Sequence, residues 1–485
     1  MKIQAIQIRN YKAFLGTHVI RIGGKNVFIY GENGSGKSSL YYALKDFFQS
    51  SIENIDLQEL ENVFVSARDE RNVELKVTFK PNWRGHDRPK TYTWNNSKVD
   101  SRDSEDTSIR DANKLKSFLT YKHLLAIHNI KKEGSINLFD LLVNGVLKHF
   151  KYPLTGGKEL GELWAEIENI VGRPTGKSYP VTKKKRALDA AIKFFNEAFG
   201  ELFNAESPEH ILRHATPILK RFNNNLSLTL RFAQLRPSND YSAIAGAEVG
   251  VDLTYLGKAI NKPHLFLNEA RLSAIAISIY LGMIKRHVQG VPCKILFLDD
   301  IFIGLDISNR LPLLEILDVE FPDYQIAITT YDKPWFEYAR SFLEGQSGWK
   351  TMEFYAQTCG DGTEIPIVFD DQNLIDRAEH HLHECDYKAA AVYSRSAFER
   401  LIRRHCVRKK KAVVFKKRQK DYTTEEFWKV IKGDLPKKLQ REIETYRSLV
   451  LNTFSHYNTE RHEIKPELEG AVKAVRELEA ILAKL

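Results

Sequence analysis

An apolar run, Asn26–Tyr30, leads directly into Gly31-Glu32-Asn33-Gly34-Ser35-Gly36-Lys37-Ser38, after which Leu40, Ala43, Leu44, Phe47 and Phe48 recur at helical spacing. The octapeptide fits GxxxxGK[ST], and its setting between a buried strand and an amphipathic helix is the one such a loop requires. The pattern commits the chain to an α/β class, because the loop works where a strand passes straight into a helix N-terminus. Glycines let backbone N–H groups curl around phosphates, and the helix adds the positive end of its dipole. Lys37 reaches the β/γ oxygens and Ser38 offers a hydroxyl to Mg²⁺. Gly31, Asn33, Gly34, Ser35, Gly36, Lys37, Ser38 and the adjacent Ser39 are thus candidate nucleotide contacts, with ATP and Mg²⁺ the implied cofactors.

A phosphate loop needs an acidic partner on a neighbouring strand to hold the metal and orient water. The continuous apolar run Lys294–Leu298 delivers Asp299 to a strand end, where it can reach the metal, and Asp300 follows where a carboxylate would polarise the attacking water. A second such run at Gln325–Thr329 reads as another central parallel strand. Alternation marks strands at Ile3–Ile8, His18–Ile22, Val73–Phe79, Lys90–Trp94, Leu226–Ala233 and Val249–Tyr255, and helical spacing marks Asn113–Lys148 and Ala270–His287. From Gly156 to Phe222 the pattern is helical and charged, including Lys183–Arg186, without a sustained heptad repeat, so a compact helical insertion is expected there. After Phe369 nearly every segment is helical, placing a domain boundary near Asp370.

With 43% hydrophobic and 28% charged residues the chain has an ordinary globular composition, which excludes a disordered or fibrous protein. At 485 residues there is room for roughly three domains. The longest uncharged apolar stretch, Leu272–Ile284, falls short of the ~20 residues a membrane span needs, and the start lacks a signal peptide's apolar region, so a cytoplasmic protein is expected. Cys293, Cys359, Cys385 and Cys406 form no CxxC pair, and reduced thiols are the simplest reading. Ten Lys or Arg and no acid lie between Leu401 and Lys420, while the whole chain has an excess of 72 − 62 = 10. That block suits phosphates, an acidic partner or plain solvation.

On these motifs the chain resembles an ABC-type ATPase head of the RecF/SMC/Rad50 group over residues 1 to about 355, with a helical insertion in place of the arms. The opening Ile6-Gln7-Ile8-Arg9-Asn10-Tyr11-Lys12-Ala13-Phe14 is similar to the family's first strand and loop, near the adenine. Gly304-Leu305-Asp306 resembles the D-loop, which implies contact across a nucleotide-sandwich homodimer or higher homo-oligomer. Leu267-Asn268-Glu269-Ala270-Arg271-Leu272 occupies the place of the signature, with Asn268 where the family has serine. Asp300 replaces the usual catalytic glutamate, and Tyr331 or Asp332 stands where the switch histidine would be, so slow turnover is the expectation. No Q-loop glutamine stands out; His128 lies in the region where one would be, and an ordinary surface histidine is the simpler reading of it. The resemblance implies four parts: 1–150, the N-terminal lobe with the phosphate loop; 151–224, the insertion; 225–370, the C-terminal lobe; and 371–485, a helical domain. More finely, LNEARLSAIAIS, LDDIFIGLDISNR and TTYD look like the PtuA ATPases of Septu antiphage systems. That family implies a partner HNH nuclease, PtuB, and in retron loci a reverse transcriptase with its RNA-linked DNA.

The C-terminal stretch from Arg447 to Asn458 is similar to the core of HEPN-like domains, whose ribonucleases converge an arginine and a histidine on one phosphate. Eight residues separate Arg447 from His456, longer than the nuclease spacing, so a helical docking or dimerisation module is expected rather than a nuclease. His380, His381, His383 and Cys385 cannot all share one helical face, which favours surface or core roles over a metal site. The leading functional reading is an ATP-gated switch holding or releasing a nuclease. A DNA-repair ATPase and an ATPase fused to a ribonuclease are the competing ones.

Overall fold

Alternating residues at the N-terminus form one antiparallel sheet. The computed structural model describes residues 1–65, 72–80, 88–122, 137–151, 157–177, 179–223, 225–260, 266–286, 291–343, 348–370, 374–414, 422–447 and 465–485. β1 (Lys2–Tyr11) and β2 (Phe14–Arg21) precede β3 (Asn26–Gly31) and α1 (Lys37–Gln49), and β4 (Glu74–Lys80) and β5 (Lys90–Trp94) follow. The first sheet runs β2-β1-β4-β5, burying Ile6 and Ile8 of β1 and Leu75, Val77 and Phe79 of β4.

α2 (Ser108–Lys114) and β6 (Phe118–Thr120) precede the charged stretch, which contains α3 (Leu160–Gly172), α4 (Val181–Gly200) and α5 (Ala215–Phe222). One lysine of the Lys183–Arg186 run is structural. Lys184 is buried and its Nζ donates to Val171 O (2.8 Å) and Arg173 O (3.0 Å), closing the C-terminus of α3 with a cation where the helix dipole favours one. β7 (Leu226–Ala233), the short β8 (Arg236–Pro237) and β9 (Ile244–Ala245), β10 (Glu248–Tyr255) and β11 (Lys258–Ile260) come next, with β11-β10-β7 a second antiparallel sheet.

The remaining elements are α6 (Glu269–Arg286), β12 (Ile295–Asp299), α7 (Ile307–Glu320), β13 (Gln325–Thr330), α8 (Lys333–Leu343), β14 (Trp349–Thr358) and β15 (Glu364–Asp370), then five helices among the described residues: α9 (Leu374–His383), α10 (Tyr387–Arg408), α11 (Thr424–Ile431), α12 (Lys437–Tyr446) and α13 (Lys465–Lys484). The central sheet has the order β15-β14-β3-β13-β12-β6, with β3, β13, β12 and β6 mutually parallel. Every residue of β12 and β13 is buried, as a parallel strand covered on both faces demands. β6 lies inside the stretch read as helical from Asn113. Three residues show no periodicity, and only pairing with β12 makes them a strand.

The chain divides into two units, Met1–Phe336 with Phe354–Val368, and Glu337–Glu353 with Phe369–Leu485. The second has its own core, in which Phe398 and Ile402 of α10 meet Trp428 and Ile431 of α11, Leu439 and Ile443 of α12, and Leu468, Val475 and Leu478 of α13. In the first unit α6 is buried around nearly its whole circumference. No helix among the described residues is long and apolar enough to cross a membrane. α6 approaches α5 so closely at Gly282 that an added Cβ would lie 2.6 Å from Ala215 N and 2.7 Å from its Cα. Backbone cannot swing away as a side chain can. Gly282→Ala is therefore expected to destabilise the first unit by about 1–3 kcal/mol of overpacking, partly offset by ~1 kcal/mol of helix propensity, read as a lowered thermal midpoint.

Candidate nucleotide site

Strand register brings the motif residues to one sheet edge. Thr330 lies opposite Tyr30, Leu298 opposite Ile328, and Asp299 opposite Thr120, so β3, β13, β12 and β6 end at a common level. From that edge the chain leaves β3 through the glycine loop, with Gly34 and Gly36 at φ 85° and 92°, and enters α1 at Lys37. A Cβ at Gly36 would in addition sit 2.7 Å from Pro366. Lys37 is buried, and its Nζ donates to Gly31 O (2.6 Å) and Glu32 O (3.0 Å), curling the loop around the ammonium. Ser38 Oγ donates to Asp299 Oδ2 at 3.2 Å, linking the two motifs across 261 residues of sequence.

Burial dominates the electrostatics. It pulls the Lys37 ammonium down from its ordinary pKa against the opposing pull of Asp300 and Asp299. It also raises Asp299, against hydrogen bonds from Thr329 and Ser38 and the charges of Lys37 and Lys122. Asp300 is pushed up to about 6, first by burial and then by the neighbouring Asp299 charge. Two acids and a lysine in mutual reach, none comfortable in its charged form, favour a ligand that brings compensating charge of both signs.

The residues fit a nucleotide with its metal. Ser38 and Asp299 are hard oxygen donors of the kind Mg²⁺ takes. Ser35 Oγ and Asp300 Oδ1 are buried without a hydrogen-bond partner, which is costly in a folded core and natural where a ligand completes the set. Asn33 is exposed at the loop. Ser39 faces the connection between β1 and β2, where its Oγ accepts from Ala13 N at 3.4 Å.

Asn268 and Asp306, named from the resemblance as nucleotide contacts, lie near each other. Asn268 caps α6 by accepting from Arg271 N at 3.0 Å, and Asp306 caps α7 by accepting from Asn309 N at 3.1 Å. Both line a cavity of about 210 Å³ together with Arg271, Ser308 and Asn309. Of the two residues expected in place of a switch histidine, Asp332 is committed to other partners. Its carboxylate accepts from Arg310 Nη1 (2.6 Å) and Trp335 N (3.0 Å), and these bonds outweigh burial to hold it below the usual range. Tyr331 is half exposed. His128 and His456 lie outside the described residues. On α9, the ring of His381 stacks on Tyr393 at 5.1 Å, while His383 is largely exposed.

Sequence spacing did not mark three participants. Thr329 donates to Asp299, Lys122 reaches it from just beyond β6, and Arg310 holds Asp332. Thr329 and Arg310 lie inside the stretches TTYD and LDDIFIGLDISNR, yet nothing in those strings marks either for its contact, and the sheet register is what sets Thr329 of β13 beside the β12 acids.

The chain belongs to the family described as "RecF/RecN/SMC N terminal domain", whose model matches residues 2–348. It therefore carries an ATPase domain of the SMC/RecF type. Solved structures similar to it include an Smc head bound to the C-terminal winged-helix domain of ScpA, at 13% identity and a TM-score of 0.42, covering 78% of this chain and 100% of that one. Another is an Smc head with an extended coiled coil bound to the C-terminal domain of ScpA, derived from Pyrococcus furiosus, at 15% identity and a TM-score of 0.45, covering 79% and 99%. No curated protein matches the chain.

Proposed function

We propose that this chain binds ATP with Mg²⁺ at the glycine loop, hydrolyses it slowly, and uses the cycle to gate a partner nuclease in antiphage defence. The observation that carries the nucleotide reading is the convergence of Lys37, Ser38, Asp299 and Asp300 at one sheet edge, with Ser38 already bonded to Asp299. Bound Mg²⁺ supplies charge neutralisation at the phosphate oxygens, held by Ser38 and Asp299. Lys37 balances the terminal phosphates, the loop amides orient them, and Asp300 polarises the attacking water. The shorter Asp300 carboxylate and an Asp332 tied to Arg310 support slow turnover.

The cavity shared by Asn268 and Asp306 supports an ATP-dependent association with a second copy through this face. The likeness to PtuA supports an HNH nuclease of the PtuB type as the partner and, in a retron setting, a reverse transcriptase with RNA-linked DNA. The HEPN-like stretch serves as a docking or dimerisation module. Arg447 supports this, since its guanidinium pairs with Glu425 at 2.7 Å and lies over the rings of Phe398 and Trp428, a position that braces a core.

Titration with ATP, with and without Mg²⁺, combined with mass in solution and co-purification with the HNH protein, tests this reading. Metal-dependent binding, an ATP-driven dimer and HNH capture are expected. Binding to DNA ends without HNH capture would favour the repair ATPase, and no ATP binding would overturn both. In the basic block, Lys411 pairs with Asp434, which also faces His405, whereas Lys409 and Lys410 are exposed. Lys409→Glu with Lys410→Glu should leave ATP turnover within about twofold while shortening retention on a polyanion column, because the reversed charges act over roughly one Debye length.

A further inference from the structure

Thr329 lies on β13, between the glycine-loop strand β3 and the acid-bearing strand β12, and is fully buried. Its Oγ1 donates to Asp299 Oδ1 at 2.6 Å and accepts the Asp300 N–H at 3.0 Å. An amide can only donate, so the hydroxyl's single proton is left for the carboxylate and both bonds have a defined direction. With Oδ1 occupied in this way, Asp299 presents Oδ2 to Ser38 Oγ at 3.2 Å. Asp300 sits at φ 51°, ψ 32°, a left-handed conformation that a residue other than glycine keeps only where its surroundings over-determine it. The amide bond to Thr329 is one such constraint. A β-branched residue suits a buried strand, but valine would pack there equally well, and it carries no hydroxyl.

We propose that Thr329 is a positioning residue of the nucleotide–metal site, its hydroxyl selecting the oxygen that Asp299 turns toward Ser38 and holding the Asp300 backbone in its kink. This rests on the ATP·Mg²⁺ reading above. Thr330, the next residue on the same strand and also buried, offers an internal comparison, since its Oγ1 accepts from Asp332 N at 3.2 Å and, among the described residues, bonds neither acid.

The test uses full-length wild type, Thr329→Val, Thr329→Ser and Thr330→Val. A fluorescent, non-hydrolysable ATP analogue is titrated with Mg²⁺, and kcat, KM and the melting temperature are measured beside it. Thr329→Val is expected to raise the Mg²⁺ midpoint about tenfold or more and to lower kcat by a similar factor, as loss of a metal ligand's supporting bond does. Analogue binding in EDTA should be unchanged, Thr329→Ser should restore the Mg²⁺ midpoint to within about threefold by keeping the donor, and Thr330→Val should match wild type. A purely structural role would lower the melting temperature without moving the Mg²⁺ midpoint. Should Thr329→Val fail to fold, Thr329→Ala removes the same hydroxyl and is read identically. Wild-type Mg²⁺ midpoint and kcat in the folded hydroxyl-less variant overturn this inference alone. A wild-type protein that binds no nucleotide in a Mg²⁺-dependent way overturns the ATP reading and this inference with it.

Discussion

Lys37→Ala is expected to weaken ATP binding by at least about a hundredfold and to abolish turnover. The ammonium is buried beneath the loop, held by Gly31 O and Glu32 O, and faces Asp299 and Asp300. At about 4 Å and an effective dielectric near 20, one charge pair is worth ~4 kcal/mol, so losing the Lys37 cation outweighs any gain from a smaller side chain. Two acids left without their counter-charge would repel the polyphosphate further. Isothermal titration with ATP and Mg²⁺ is the measurement, with a melting curve to confirm that the variant is folded. Wild-type affinity in a folded Lys37→Ala protein would remove the glycine loop from the site.

Asp300→Asn separates binding from chemistry. ATP affinity should stay within a few-fold, while turnover falls by at least about a hundredfold, the range for loss of a group that handles a proton. The mass in solution with ATP should shift toward the closed dimer. The same substitution carries a stability signature. Burial, then Asp299, raises the Asp300 carboxyl from 3.8 to about 6. Between those values the folded chain binds the proton more tightly than the unfolded one, so stability falls as pH rises through that window, and the cost is complete above it. Asparagine never ionises. In EDTA, the melting temperature of Asp300→Asn should therefore exceed wild type by a margin that grows from about pH 4 to about pH 7, and kcat/KM of wild type should fall on the acid side with a midpoint near 6. A constant margin would mean that the carboxylate is not under strain at the site.

Much of the site was legible because its chemistry is contiguous. The glycine loop carries its own backbone curvature, its own cation and its own hydroxyl within eight residues, and the strand before it and the helix after it are each long enough to show their period. Asp299 was legible for a related reason, since an apolar run that ends in acids places them at a strand's exit. The family resemblance also pointed to a missing switch histidine at Tyr331–Asp332, but not to what those residues do instead. Tyr331 or Asp332 could be named in its place from the family resemblance, whereas the engagement of Asp332 by Arg310, 22 residues away, required the fold. β6 shows the same limit on the side of architecture. Phe118–Thr120 is too short to carry a pattern, yet it borders β12, sets Thr120 opposite Asp299, and brings Lys122 within electrostatic reach of that acid.

Neighbours along the chain encode a glycine loop of the phosphate-binding pattern between a strand and a helix, an apolar strand ending in two acids, and a helical stretch after residue 369, because the spacing of each repeats that of a strand or helix. The order β3-β13-β12, the register that sets Thr329 against both acids, and the choice of the Asp299 oxygen that faces Ser38 come from packing across the sheet. Those bonds join residues 30 and 261 positions apart. Local spacing cannot report them, because a hydrogen bond between strands depends on which strand lies beside which and at what offset, and that is settled by burying both faces of the sheet at once.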